Sequence, residues 1–409
     1  MVIGFYLGVR GVMGKQRKKS TLVVLMLVMV VNALAYGTII PLLYPYASKF
    51  GINPTGLSWL FVSFSVAQFI ATPIMGRLSD RYGRKPLLVI SLLGTSLSLA
   101  AFAAARNVEW LFAARILDGI TGGNVSVAQA VIADSTQGKE RGKSLGMLGA
   151  AFGFGFLVGP ALGGVLSQIG LTTPFWFASG LAMVGVILAI LVLEETVGKG
   201  GARKLEHEPL FKWRSLFGAL LTPDVGVVLL ITLLVSMAQN AWIIGFQAFT
   251  VDVLKLSAKT IGLMFAGVGL VSVMMQGYGV RLLMDKIESK RKILTASLVI
   301  VCLLQFVFGF AESALVFTLV MLVYVAVFAP AVPVITAIVS ERTKSEDQGG
   351  ILGINQSYTS VGQIFGPLAA GMIIGGGPRR VFLLSAAVMV LALLASLRLY
   401  VPSRHKADL

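Results

Sequence analysis

Gly76-Arg-Leu-Ser-Asp-Arg-Tyr-Gly-Arg-Lys-Pro86 decides how this chain is read. Four positive charges and one carboxylate, Asp80, stand in eleven residues between two long apolar runs, 55–76 and 86–105. A helix needs about 20 apolar residues to cross the hydrocarbon core of a bilayer, and each flanking run supplies them. The stretch therefore reads as a basic clasp joining two membrane-spanning helices on one face of a membrane.

Working outward, the same length rule finds runs at 21–43, 109–133, 143–167 and 174–193, then at 225–250, 258–282, 291–311, 314–339, 348–374 and 379–400. The expected fold is all-α, with twelve transmembrane helices in two six-helix bundles, 21–193 and 225–400. A polar linker at 194–224 joins them, and tails are expected at 1–20 and 401–409. Composition agrees: 56% of residues are hydrophobic and 13% charged, against about 25% charged in a soluble domain. Such a chain cannot cover its own surface with polar groups, so lipid is its outer solvent.

A net charge of +16 raises the question of nucleic acid, but the distribution of charge answers it. Of 34 Lys and Arg, 27 fall in the tails and loops on the clasp's side. Six lie in the opposite loops (Lys49, Arg106, Lys255, Lys259, Arg379, Arg380), and Arg115 lies inside a helix. Positive charge gathers in cytoplasmic loops, so both termini are expected in the cytoplasm of a multi-pass cell (inner) membrane protein, with no nucleic-acid partner. Residues 1–14 are followed, not preceded, by a basic cluster, so they are no secretory signal; they read as a loose tail, with Met13 an alternative start.

The lone cysteine, Cys302, excludes a disulfide framework or cysteine metal site, and His207 and His405 lie far apart in polar segments. No metal, no cofactor and no enzymatic constellation is expected, and no Gly-x-x-x-x-Gly-Lys-Ser/Thr loop for a nucleotide occurs.

The chain repeats itself. At an offset of 207, Leu145-Gly146, Gly159-Pro160 and Gly164 fall on Leu352-Gly353, Gly366-Pro367 and Gly371, and Asp134 on Glu341. At 205, Leu78, Asp80 and Arg81 fall on Leu283, Asp285 and Lys286, a weaker second clasp. Both halves start on the same face, so they are parallel repeats, and a substrate path is expected between them near the midplane.

These residues resemble the major facilitator superfamily, and within it the drug/proton antiporters typified by bacterial tetracycline exporters. The family's motif after helix 2 stands as Gly76, Leu78, Asp80, Arg81, Gly83, Arg84 and Lys85, and the helix 4 motif as Leu111 to Gly119 with Arg115 and Asp118. The helix 5 antiporter motif stands as Gly155, Gly159, Pro160, Gly163 and Gly164. The resemblance implies the major facilitator fold and alternating access by rocking bundles, with an inward proton gradient as energy source. It also implies a cytoplasmic gate at the clasp (Gly76, Asp80, Arg81, Gly83, Arg84), where Asp80 holds the outward-facing state closed. Two departures stand out. Tetracycline exporters carry an acid in helix 1 where this chain has Asn32, and Asp118 replaces the more usual Gln or Ser of the helix 4 motif.

Arg115 and Asp118 form the ionisable pair well inside a span, each costing about 2.5–3.5 kcal/mol at a helix centre. Three residues apart, they share a face. Burial favours the neutral acid and the arginine favours the carboxylate, so the pair is a candidate for proton coupling; a structural ion pair fixing helix 4 is the other reading. The stripe continues through Gly122, Ser126 and Gln129. Asn32 and Tyr36 in helix 1 and Gln239, Asn240 and Trp242 in helix 7, with Gln129, are candidate substrate contacts. Further polar or aromatic positions are Phe246, Gln247, Tyr324, Phe328, Asn355, Gln356 and Gln363. Gly155, Gly159, Gly163 and Gly164 allow close helix packing, and Pro160 can kink helix 5. The expected function is proton-coupled export of hydrophobic or amphipathic small molecules by a monomer embedded in lipid. Uptake or facilitated diffusion of a small metabolite, or a non-transporting sensor on the same fold, are the alternatives.

Overall fold

A computed structural model describes residues 22–136, 138–196, 213–222, 225–287, 289–343 and 348–400. The expected tails 1–20 and 401–409, with His405, and most of the linker, with His207, lie outside the described residues.

Twelve long helices carry the described chain. They are α1 Leu22–Phe50, α2 Pro54–Tyr82, α3 Arg84–Ala103 and α4 Val108–Ser135; α5 Gly138–Leu166 and α6 Thr173–Val192; α7 Gly226–Val253, α8 Ala258–Lys286, α9 Lys290–Phe308 and α10 Ala314–Glu341; and α11 Gln348–Ile373 and α12 Pro378–Tyr400. Ten are long and apolar enough to cross a membrane, and α5 and α11, at 29 and 26 residues, match them in length. A short helix, Trp213–Leu221, precedes α7.

The turns are tight because side chains cap the helix starts. Asn53 accepts from the Gly56 amide at 2.8 Å, Asn107 from Trp110 at 3.1 Å and Ser257 from Thr260 at 3.2 Å, each satisfying a donor that a helix N-terminus leaves open. Inside the spans regular α-helix gives way repeatedly: α1 tightens to 3-10 turns at Ile40–Leu42 and Ser48–Phe50, and four further departures lie in α4, α7, α8 and α10. α4 breaks at Gly122–Gly123 and α10 at Ala329–Pro330, where proline has no amide hydrogen to give. α7 and α8 widen to π-turns at Phe249–Val253 and Met275–Gly279. The sequence reading expected one unbroken helix over 109–133.

Helices α1–α6 and α7–α12 form two bundles that meet along α5 with α8 and α2 with α11. The internal repeat appears in this packing. Gly164 on α5 rests on Gly262 of α8, and Gly371 on α11 rests on Ser58 of α2. Within the bundles, Gly155, Gly159 and Gly163 seat α5 on Ala33, Gly37 and Thr38 of α1, while Gly362 and Gly366 seat α11 on Ser236 and Met237 of α7. A Cβ on Gly159 would stand 2.8 Å from the Thr38 nitrogen, so the small residues are what let these backbones touch.

The bundles are joined at one end and parted at the other. Away from the clasp, a shared apolar cluster links Leu43, Leu57, Phe102 and Phe175 to Ala241, Ile244, Ala370 and Val381. There the Tyr44 hydroxyl donates to Asp252 Oδ2 at 2.7 Å and the Tyr44 amide to Gln247 Oε1 at 3.1 Å. On the clasp side the clusters belong to single bundles. Around Gly76 on α2 and Gly353 on α11, no atom of another element among the described residues comes within 4 Å of where a Cβ would stand.

Candidate functional site

The break in α4 builds the centre of the site. Two successive glycines, with no side chain to pack, let the helix stop at Thr121 and restart at Asn124. Irregular backbone at membrane depth persists only where its polar groups find partners, and here they do. Ser91 of α3 donates to the Thr121 carbonyl, and Gln68 Nε2 of α2 donates to the Gly122 carbonyl at 3.3 Å. Asn124 Nδ2 then donates to Asn32 Oδ1 of α1 at 3.1 Å. Asn32, where the resembled exporters carry an acid, is thus a partner for the restarted helix.

One turn before the break, Arg115 Nη1 meets Asp118 Oδ2 at 3.1 Å, with both side chains buried. The guanidinium lies over the Phe64 ring at 4.1 Å and 6.0 Å from that of Phe61. A desolvated cation over a ring face gains about 2 kcal/mol, offsetting part of the cost of its burial. Tyr36 faces Arg115 from α1, and the hydroxyls of Thr95 and Ser98 face Asp118 from α3.

Between the bundles lies a cavity of about 500 Å³, a volume typical of small-molecule sites. Asn32, Tyr36, Gln68 and Asp118 line it from the first bundle; Gln239, Asn240, Trp242 and Gln363 line it from the second. Five of the six expected substrate contacts therefore come together with Asp118. Gln129 does not: the break at Gly122–Gly123 interrupts the stripe that began at Arg115, and Gln129 lies exposed outside this lining. Arg115 also stays out of it, behind Phe61 and Phe64.

On the second bundle, Tyr324 donates to Gln239 Oε1 at 2.5 Å and accepts from Gln305 Nε2 at 3.1 Å, so what Gln239 has left to offer is its amide N–H. Asn240 Nδ2 donates one of its two hydrogens to the Ser236 carbonyl at 2.8 Å. Trp242 stacks on Tyr324 at 4.9 Å, and its buried Nε1 has no partner among the described residues. Phe246 rings Trp242 at 5.4 Å and Phe328 stacks on Tyr324 at 6.0 Å. Gln247 and Asn355 are joined elsewhere, to Tyr44 and to Thr232 of α7 at 2.7 Å, and Gln356 does not line the cavity.

The clasp is held inside the first bundle. Arg84 pairs with Asp80 at 2.6 Å and with Asp134 at the end of α4 at 2.9 Å, and it donates to Ser79 Oγ at 2.6 Å. Arg81 lies over the neighbouring Tyr82 ring. Past the end of α6, Glu195 accepts from the Arg84 and Lys85 amides at 2.8 and 3.1 Å, capping α3 with a carboxylate. Gly83 turns the chain at φ +105°, and a Cβ there would meet the Glu195 carboxyl. The second half keeps one part of this set: Lys290, which opens α9 as Arg84 opens α3, pairs with Glu341, the counterpart of Asp134. Sequence reasoning did not find Asn124, Gln68, Glu195 or the Tyr44–Asp252 bond. The glycine pair of α4 was the one local signal available.

A profile of the Major Facilitator Superfamily matches residues 25–287 and 228–409. This chain belongs to the Major Facilitator Superfamily. Among curated superfamily relatives, Multidrug resistance protein 1 of Bacillus subtilis (strain 168) is 28% identical over 96% of this chain and 100% of its own length. Tetracycline resistance protein, class E, of Escherichia coli is 28% identical over 85% and 86%. Quinolone resistance protein NorA of Staphylococcus aureus is 28% identical over 83% and 86%. Among solved superfamily folds, the human organic anion transporter MFSD10 (TETRAN) covers 93% of this chain and 99% of its own at a TM-score of 0.70 and 22% identity. A bacterial homologue of the lysosomal transporter Spinster, in an inward-facing and occupied conformation, covers 92% and 95% at 0.74 and 13%. As a superfamily member this chain is a multi-pass membrane transporter for small molecules rather than an enzyme.

Proposed function

We propose that this protein exports hydrophobic and amphipathic small molecules, drugs among them, from the cytoplasm in exchange for protons. The inward proton gradient is its energy source and it takes no cofactor. The observation that carries the reading is the cavity between the bundles: largely apolar, rimmed by amides and rings, and reached by a buried carboxylate, Asp118. Three multidrug, tetracycline and quinolone resistance proteins among its relatives support the substrate class.

The gathering of Lys and Arg on the clasp side supports a cytoplasmic clasp, with both ends of the chain there; the protein works as a monomer in the cell (inner) membrane. With that orientation the conformation is inward-facing, since the bundles close at Tyr44–Asp252 and Gly164–Gly262 and part at Gly76 and Gly353. A lipophilic compound enters from the cytoplasm and displaces the proton of Asp118; the bundles then rock, closing α2 on α11 at the clasp. Asp80, half-exposed and tied to Arg84, is the acceptor available to α11 on closure, and the Arg84–Asp134 pair keeps the clasp rigid as it moves.

Everted membrane vesicles test this with ethidium as the dye. The proposal expects accumulation on energisation, abolished by a protonophore. Dye movement indifferent to the protonophore overturns proton coupling, and no dye movement overturns drug export.

A further inference from the structure

Behind Asp118, on the side away from the clasp, is a second and much smaller cavity of about 10 Å³, room for one water molecule. It lies wholly within the first bundle, with Leu43 of α1, Ser98 and Phe102 of α3, Ala114 and Arg115 of α4 and Phe175 of α6 on its walls. Asp118 is the one residue that lines both this chamber and the large cavity. Arg115 lines the chamber but not the large cavity, and its Nε is buried without a hydrogen-bond partner among the described residues.

A buried donor left unmade costs about 1–3 kcal/mol, and a buried water needs two to four polar partners. The chamber offers three: Arg115 Nε as donor, the Asp118 carboxylate as acceptor and, also as acceptor, the Ser98 hydroxyl, whose own hydrogen goes to the Thr95 carbonyl at 2.9 Å. Beyond it, the rings of Tyr46, Phe102 and Phe175 pack within 4.9 to 5.6 Å of one another and close the bundle toward the far face. Tyr46 is held there by donating to the Ala103 carbonyl at 3.2 Å.

We infer that this chamber is a water site through which protons reach Asp118 from the far side, inside the first bundle, while substrate uses the separate cavity between the bundles. A protonated water in the chamber gives its proton to the Asp118 carboxylate, forming the neutral acid and leaving water. In the inward-facing state the acid gives that proton to water in the large cavity. The charged and titratable groups facing Asp118 are Arg115 on α4 and Tyr36 on α1, which also face each other; α2 contributes the rings of Phe61 and Phe64, and α3 the hydroxyls of Thr95 and Ser98. Arg115 is then a positioning residue that holds the water and the carboxylate together.

This rests on Asp118 being the proton-carrying group, and the test separates the two. Full-length wild type, Ala114→Ile, Ser98→Ala and Asp118→Asn are reconstituted in liposomes. For each, ethidium affinity, ethidium exchange without a gradient, and ethidium transport driven by a pH gradient are measured. Ala114 touches the chamber and not the large cavity, so Ala114→Ile fills the water site. The expected result is unchanged affinity and exchange with gradient-driven transport slowed at least tenfold, and Ser98→Ala, which adds no bulk, slowed severalfold in the same way. Gradient-driven transport at the wild-type rate in both variants overturns the chamber if Asp118→Asn is uncoupled; coupling retained in Asp118→Asn overturns the reading of Asp118 itself. Equal losses of affinity, exchange and driven transport in Ser98→Ala make the chamber a packing feature and overturn the inference. Should Ala114→Ile fail to fold, Ser98→Ala decides.

Discussion

Gly262 on α8 lies so close to Gly164 on α5 that a Cβ added to Gly262 would stand 2.6 Å from the Gly164 Cα. The contact joins the two bundles at the end away from the clasp, and it exists only when that end is closed. Gly371 with Ser58 repeats it on the other seam. A transporter that alternates must break both contacts in each cycle.

Overpacking a tight contact costs about 1–3 kcal/mol, and 1.4 kcal/mol is about tenfold in an equilibrium. Gly262→Val is therefore expected to move the population toward the state open on the far side by roughly ten- to a hundredfold, and to slow transport. Spin labels at Lys49 and Lys255 read the change as a longer inter-label distance. An unaltered distance distribution would mean the seam is not a gate.

The Tyr44–Asp252 bond acts at the same end and is separable from packing. Tyr44→Phe keeps the buried ring and removes the hydroxyl that donates to the carboxylate. Hydrogen bonds to charged groups contribute about 1.5–3 kcal/mol, so the same labels should report a shift of about tenfold or more. The thermal unfolding midpoint should move little.

At the clasp, Gly83 has φ +105° and faces the Glu195 carboxyl, which caps α3. Gly83→Ala combines a left-handed backbone, costing about 1–2 kcal/mol, with a clash against that cap. Glu195→Ala loses the cap, about 1 kcal/mol, and Glu195→Gln less. Thermal melting in detergent should rank them in that order, Gly83→Ala lowest. Wild-type melting of Glu195→Ala would show that the cap contributes nothing.

Trp242 lines the large cavity with its ring stacked on Tyr324, and its indole N–H is buried with no partner among the described residues. Trp242→Phe keeps the ring. It should weaken binding of compounds that carry a hydrogen-bond acceptor by about 0.5–1.5 kcal/mol, and leave acceptor-free lipophilic cations unaffected. Dye-displacement titrations across such a pair check this; equal effects on both would place the indole nitrogen away from bound substrate.

Much of this was legible in the sequence because lipid imposes simple rules. Span length set the helices, and the glycines at an offset of 207 foretold the matched seams Gly164–Gly262 and Gly371–Ser58. The Arg115–Asp118 pair was legible because three residues on a helix share a face. What failed was continuity and distance. Gly122 was read as part of a stripe, yet with Gly123 it ends one helix and starts another, turning Gln129 away from the cavity. Tyr44 and Asp252 are 208 residues apart, and no local pattern announces such a partner. Glu195 looked like linker; only the folded chain brings it to the start of α3. Asp80 had both Arg81 and Arg84 as candidate partners in the sequence, and the turn at Gly83 between α2 and α3 brings Arg84 back to it.

The central claim is that substrate and proton compete for Asp118. Binding linkage is reciprocal, so a cation that binds where the proton sits must release it. The direct measurement is proton release into weakly buffered detergent solution as ethidium binds, for wild type and for Asp118→Asn at matched occupancy. The account predicts about one proton released per dye bound by wild type and none by Asp118→Asn. Equal release from both proteins would contradict it.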